Sequence, residues 1–416
     1  MTTQAGLLQQ WYNLFIFPEY WHGIHLPSLV PYLGLVGILA FALGMLPFLI
    51  WIERVVVALM QDRIGPNRVG PRGLMQPAAD VLKLFFKEDI RPRDVDRFLY
   101  FLAPFLSMTI AISAGAVLPW GSIAFRNAAG QVFLVPITAG NINVALLYAL
   151  AMSSLSVYGL VLAGWSSNNK YSLLGGLRAS AQVISYELAM GVALLCVVLL
   201  AGSLNLGQIV EAQNQLPFGW HLPALFKGSL FSWFWLQSLI VPVIIYTIAM
   251  VAETNRPPFD LPEAESELVA GYHTEYSAMK FATFFAAEYI NMLLISGLNA
   301  TLFWGGWLPP FNCVPFTLIP GFVWFGIKIM MGIYLYVWLR ASLPRLRYDA
   351  LMQLGWKRML PIGLVWLFLL GGYSLLRTPK TETALPTPPS SAVMAPPTPL
   401  HSIKFMPTSM PQGGGK

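Results

Sequence analysis

The sequence predicts an all-α polytopic membrane protein of about eight transmembrane helices, with interfacial amphipathic helices on the cytoplasmic side. Three observations carry this: an apolar composition, repeated apolar runs of bilayer length, and basic residues gathered on alternate loops. Of 416 residues, 56% are hydrophobic and only 11% are charged, where soluble domains carry about 25% charged residues. Mean hydropathy is +0.61. Apolar stretches of about 18 residues or more with few charges read as membrane-spanning helices.

Eight stretches qualify, roughly 27–52, 98–119, 141–164, 180–201, 232–252, 281–301, 318–339 and 360–376. The loop after the first span holds nine Lys or Arg between Arg54 and Arg97. The loop after the third holds Lys170 and Arg178, that after the fifth Arg256 and Lys280, and that after the seventh five more from Arg340 to Arg358. The intervening loops hold only Arg126 and Lys227. Basic loops stay in the cytoplasm, so this bias puts both termini on the other side. It also accounts for most of the net charge of +6 without a nucleic-acid partner. The first 26 residues contain no Lys or Arg, which argues against a signal peptide. Residues 378–416 pack nine prolines among Ser and Thr and read as a disordered tail, so the single transmembrane domain is 1–377.

Composition also bounds the chemistry. Two cysteines, Cys196 and Cys313, cannot build an iron–sulfur site, which needs four thiolates or a histidine-substituted equivalent. The five histidines show no metal-ligand spacing, and no Gly-rich dinucleotide fingerprint follows a strand-like run. Redox carriers, if the chain serves electron transfer, sit on partners.

The first basic loop runs Gln61-Asp62-Arg63-Ile64-Gly65-Pro66-Asn67-Arg68-Val69-Gly70-Pro71-Arg72-Gly73, where glycine and proline force sharp turns between exposed cations. Pro77 then opens a helix too short to span, with Asp80, Lys83 and Lys87 on one stripe of an otherwise apolar surface. That pattern suits a surface anchor and equally a roof over a polar cavity. The fifth loop runs from Glu253 through Arg256 and Asp260 to Glu263, Glu265 and Glu267, with Glu275 and Glu288 beyond. Asp260 and Glu263 have capping-box spacing, so a solvated, capped helix is the plain reading. Against it, Glu263 and Glu267 are like charges at i, i+4, which costs helix stability. Glu187 and Glu288 fall inside apolar spans, as does Lys328. Charges there cost about 2.5–3.5 kcal/mol on insertion scales and usually mark ion or proton routes, a buried structural hydrogen bond being the alternative.

At these motifs the sequence resembles the H-subunit family (subunit 1 in mitochondria) of proton-translocating NADH–quinone oxidoreductase, respiratory complex I. The matching stretches include Gly65–Gly73, Asp80–Glu88, Ser185-Tyr186-Glu187, Ala252–Val269, Ala287-Glu288-Tyr289 and Pro344–Asp349. The resemblance implies an eight-helix subunit in an energy-transducing membrane, most simply a bacterial plasma membrane. It would stand where the membrane arm meets the peripheral arm, with quinone as substrate and no prosthetic group of its own. Iron–sulfur clusters and flavin would belong to hydrophilic partner subunits, and small membrane subunits and antiporter-like subunits would flank it within the lipid. Carried over residue by residue, Arg54, Arg63, Asp80, Lys83, Arg256 and Asp260 become chamber or interface residues. Glu187, Glu253, Glu263, Glu265, Glu267, Glu275 and Glu288 become a proton path. The alternatives are the corresponding subunit of a membrane-bound hydrogenase or ferredoxin-dependent complex, and a free-standing ion transporter.

Because the tail has too little apolar surface to bury, removing residues 380–416 is expected to leave complex assembly and quinone reductase activity nearly unchanged. Native gel electrophoresis and activity of the truncated chain check this, and loss of the assembled complex would make the tail a docking element.

Overall fold

A computed structural model describes residues 16–377, apart from 19, 22–23, 127–131, 141, 215–232, 235–238, 262–268, 312–315 and 317–318. The tail read from 378 onward therefore lies outside the described residues, as do Glu263, Glu265, Glu267 and Lys227. Helix α1 spans Val30–Met60, with Pro31 in its first turn, where a missing N–H costs nothing. The short helix α2, Gln76–Phe86, carries Pro77 in its first turn as the sequence predicts. Helix α3, Arg97–Gly115, starts where the Asp96 carboxylate accepts from Phe98 N (3.1 Å) and Leu99 N (3.3 Å). Helix α4 is Ala145–Ser166. Helix α5, Lys170–Ala201, is capped by the Asn169 side chain and stopped by Gly202, whose φ of 67° is left-handed.

Four further helices and a two-part terminal segment complete the set: α6 Leu206–Ala212, α7 Ile240–Glu253, α8 Ala278–Phe303 and α9 Gly321–Ser342. Helix α10, Tyr348–Gln353, runs through a π-helical turn at Leu354–Met359 into α11, Leu360–Arg377. Among the described residues, seven helical segments are long and apolar enough to cross a membrane, and α7, at 14 residues, is shorter. Residues 235–238, just before α7, belong to the fifth expected span and lie outside the described residues. The non-helical exceptions are few. Strands β1 (Ile16–Pro18), β4 (Ser122–Arg126) and β5 (Val132–Pro136) form one small sheet, with β1–β4 parallel and β4–β5 antiparallel. Strands β2 (Tyr20–Trp21) and β3 (Ile24–His25) pair antiparallel. The chain divides into two compact units, residues 1–372 and 373–416; of the second only Tyr373–Arg377, the end of α11, is described.

Within the first unit, α8 and α5 form the interior. Over their most apolar windows they are 56% and 50% buried, against 17% for α1, which leaves most of α1 outside the packed interior of this chain. Helix α8 packs against α1, α2, α3, α7 and α9. Lipid tails are as apolar as leucine, so close packing and interhelical hydrogen bonds hold such a bundle together. Gln182 of α5, fully buried, gives its amide N–H groups to Ala252 O (2.7 Å), Phe259 O (2.8 Å) and Asn255 Oδ1 (3.1 Å), tying α5 to the turn after α7. Tyr336 of α9 donates to Met250 O (3.0 Å), and Tyr186 of α5 to Leu351 O (3.0 Å).

Gly175 of α5 marks a close backbone approach. A Cβ there would sit 2.7 Å from Gly271 Cα and 2.7 Å from Tyr272 N, both backbone atoms. Gly175→Ala must push α5 away from the Gly271–His273 turn and is expected to destabilise the bundle by about 1–3 kcal/mol. Gly37→Ala, with nothing within 4 Å of its Cβ, is the control. Thermal melting of the purified protein in detergent checks the pair, and equal melting points would refute the packing argument.

Candidate functional site

The loop after α1 turns as its glycines and prolines predict. Gly70 (φ 74°), Arg72 (φ 51°) and Gly73 (φ 71°) are all left-handed. A Cβ at Gly73 would lie 2.0 Å from Pro66 O, so only glycine lets the loop fold back on itself. The fold-back sets α2 against α1 and α8 and leaves a cavity of about 840 Å³ between the three. That volume suits a cofactor- or drug-sized molecule. Its wall is apolar along Leu43, Leu46, Pro47 and Ile50 of α1, and its polar groups are Glu53, Arg54, Arg63, Asp80, Lys83 and Arg340. Arg54 pairs with Asp80 at 2.6 Å, while Lys83, 70% exposed, stands 3.9 Å from the same carboxylate.

Behind this wall lies a buried charge cluster. Glu53 of α1 is 6% exposed and accepts from Tyr289 Oη of α8 at 2.5 Å, and Arg340 of α9 forms an ion pair with it. Arg256, 7% exposed, places its guanidinium 3.8 Å from Glu53 Oε1 and 3.7 Å from Glu288 Oε2, over the Tyr289 ring at 4.4 Å. Glu288 in turn accepts from Tyr272 Oη at 2.8 Å. Two carboxylates and two guanidiniums thus balance, each carboxylate accepting a tyrosine hydrogen bond and each guanidinium facing a carboxylate, and charge pairing of this kind is what lets such groups persist away from water.

From Glu288 the acids continue inward. Glu288 and Glu253 line one small cavity together. Ser153 of α4 lies within hydrogen-bonding reach of Glu253, and Glu187 is near enough for the two glutamate charges to interact. Ser154, next in α4, hydrogen-bonds Glu187. The series is therefore Glu53 and Arg256, both buried, then Glu288, Glu253 and Glu187, all half-buried, running from the large cavity to the α4–α5 surface.

Of the six chamber residues expected from sequence, Arg54, Arg63, Asp80 and Lys83 line the cavity. Arg256 stands one layer behind it. Asp260 stands apart, held by Arg345 at 3.1 Å, a pairing of seventh and fifth loops that suits their opposite charges. Among the expected path residues, Glu187, Glu253 and Glu288 come together. Glu275 accepts from Asn169 Nδ2 at 2.6 Å and lines neither the cavity nor the Glu288–Glu253 pocket. Glu263, Glu265 and Glu267 lie outside the described residues. Sequence reasoning misses Glu53, Arg340, Tyr289 and Tyr272. Glu53 carries a signal, being an acid at the end of an apolar run; the helix continues past it for two turns to Met60.

His273 sits beside the cluster, 8% exposed, with its ring edge-on to Tyr272, Phe281 and Phe285. Burial pushes its pKa down to about 4. The unfolded chain takes up this proton from about pH 6.5, so stability is full above that pH and falls as pH drops towards 4, by about 1.4 kcal/mol per unit. Melting points of the purified protein across this window should fall on acidification, and His273→Leu should flatten the slope. An unchanged slope would show that other groups govern it.

The NADH dehydrogenase family matches residues 33–371. The H subunit of the NADH-quinone oxidoreductase of Rhodospirillum rubrum is 46% identical over 355 residues, covering 85% of this chain and 97% of its own. The protein of the same name from Rickettsia bellii is 48% identical over 323 residues, 77% of this chain and 87% of its own. That of Ehrlichia ruminantium is 43% identical over 362 residues, 87% of this chain and 94% of its own. With the match running from the first transmembrane helix to the last, the chain belongs to the NADH dehydrogenase family of membrane proteins.

Proposed function

We propose that this chain is the membrane subunit of a proton-translocating NADH–quinone oxidoreductase at the junction with the peripheral arm, and that it encloses quinone and relays protons. The observation that carries the reading is the shared wall: Glu53, Tyr289 and Arg340 line the 840 Å³ cavity and also belong to the buried cluster that leads through Arg256 to Glu288. In this reading the quinone ring lies at the polar end of the cavity, with its tail along the apolar face of α1. Arg54, Arg63, Asp80 and Lys83 set the charge around the ring. Electrons reach it from iron–sulfur clusters held by peripheral subunits, and the exposed arginines of the Gly65–Gly73 loop face that arm.

Reduction to quinol takes two electrons and two protons, so the cavity gains negative charge before it is neutralised. The charge is felt by the buried cluster because little water screens it. A fuller negative charge in the cavity draws Arg256 towards Glu53 and leaves Glu288 the poorer in cationic partners, which favours its protonated form. Glu288, Glu253 and Glu187 then pass the proton towards the neighbouring membrane subunits. Glu263, Glu265, Glu267, Glu275, Arg256 and Asp260 remain assigned to the path and interface as the family resemblance has them. The odd-numbered loops face the cytoplasm and both termini the opposite side.

Replacing Glu187 or Glu288 by Gln keeps size and hydrogen bonding but removes titration. The expected outcome is an assembled complex in which quinone reduction and proton pumping fall together, by about 100-fold if the relay is obligatory. Normal pumping per electron in both variants would sink the relay. A loss of complex abundance with unchanged specific activity would instead make the two acids structural.

A further inference from the structure

The residues between Glu288 and Glu253 enclose two small cavities that share one wall. The first, about 30 Å³, is lined by Glu288, Tyr272, Glu253, Ser156 and Asn291. The second, about 40 Å³, meets the same Glu253, Ser156 and Asn291, together with Ser153, and then runs on between Leu118, Leu146 and Leu298. A space of about 10–15 Å³ open to a probe centre holds a water if two to four polar partners are near. The first cavity meets that condition throughout, and the second only at its Glu253 end, since apolar voids stay dry. Two side chains have hydrogen-bonding capacity that no described protein group uses. Glu253 Oε2 is buried without a partner among the described residues, a costly state for a carboxylate oxygen unless water or a proton meets it. The Asn291 amide, at i+3 from Glu288 on α8, faces both cavities and bonds no described side chain or carbonyl. Ser156 gives its hydroxyl proton to Ser153 O at 2.6 Å, which leaves its lone pairs to accept from water.

We infer that Asn291 and Ser156 form a hydrated junction between Glu288 and Glu253, with Asn291 as a positioning residue that orients the connecting water. The amide donates and accepts at once, so it holds a water with one hydrogen towards Glu253 Oε2 and a lone pair towards Glu288. A proton leaving Glu288 joins that water as the water gives another to Glu253, and no charge is left behind in the junction. The dry stretch of the second cavity closes the route along Leu118 and Leu298. Transfer therefore turns at Glu253 towards Ser153, Ser154 and Glu187.

This inference rests on the relay proposed above, and its test separates the two. In the assembled complex, Asn291→Leu keeps the volume but removes both polar groups. Quinone reduction and pumping should fall about tenfold or more, with a larger rate ratio between H2O and D2O. Asn291→Ser, which readmits water with a hydroxyl, should restore most of the rate and the ordinary isotope ratio, a rescue that a packing role would not give. Unchanged rate, pumping and isotope ratio in Asn291→Leu, while Glu288→Gln and Glu253→Gln lose pumping, would overturn the junction alone. If none of the three changes pumping, the relay itself fails. Should Asn291→Leu not assemble, Ser156→Ala decides: a raised isotope ratio supports the junction, and an unaltered one overturns it.

Discussion

Arg256 stands between two carboxylates, 3.8 Å from Glu53 and 3.7 Å from Glu288, and is the cation they share. Breaking such a pair in a protein interior typically costs about 3–5 kcal/mol. Meeting that condition requires four helices to converge. Glu53 comes from α1, Glu288 and Tyr289 from α8, and Arg340 from α9, while Arg256 follows the end of α7. The Gln182 amide then holds the Arg256 turn by the carbonyls on either side of it. Under the proposed relay, a structural constraint and a functional one coincide at the same side chains.

The Tyr289 side chain shows how closely they coincide. Its hydroxyl donates to Glu53 and its ring carries the Arg256 cation at 4.4 Å, while its body forms part of the large cavity's wall. A ligand pressing on that ring touches, at one remove, both ends of the charge cluster. Separating these contributions needs a probe of the hydroxyl and a probe of the ring, since a cation–π contact and a hydrogen bond respond differently to Tyr→Phe.

Sequence makes some of this legible and not the rest, for physical reasons. Turns forced by Gly70, Gly73 and Pro77 are local, and they stand where the sequence puts them. Acids inside apolar runs are also visible without a structure, which is how Glu187 and Glu288 stand out. Glu53 reads as the start of a loop because a charge ends the apolar run, yet in the fold a helix carries it and partners on other helices neutralise it. Arg340 reads as one more cation of a positive-inside loop, since nothing in a linear chain says that α9 ends beside Glu53. Tyrosines such as Tyr272 and Tyr289 are common in apolar surroundings, and only the geometry distinguishes those that bind an acid. Helix α5 begins ten residues before the apolar run because Asn169 caps it and the small residues Ser172, Gly175 and Gly176 of its first turns are buried.

The length of α1 has a thermodynamic consequence for anything dissolved in the bilayer. Its 31 residues extend about 46 Å, half as long again as a hydrocarbon core of about 30 Å. The cavity follows this helix from Leu43 to Ala58, about 22 Å along the axis, so it joins an apolar end at Leu43 to a charged end at Glu53 and Arg54. If quinone occupies it as proposed, the long isoprenoid tail lies along the apolar end while the head it carries meets the charged end. On that reading tail length sets how much of the apolar wall a ligand covers, and short-tailed analogues forgo that contact while still reaching the polar groups.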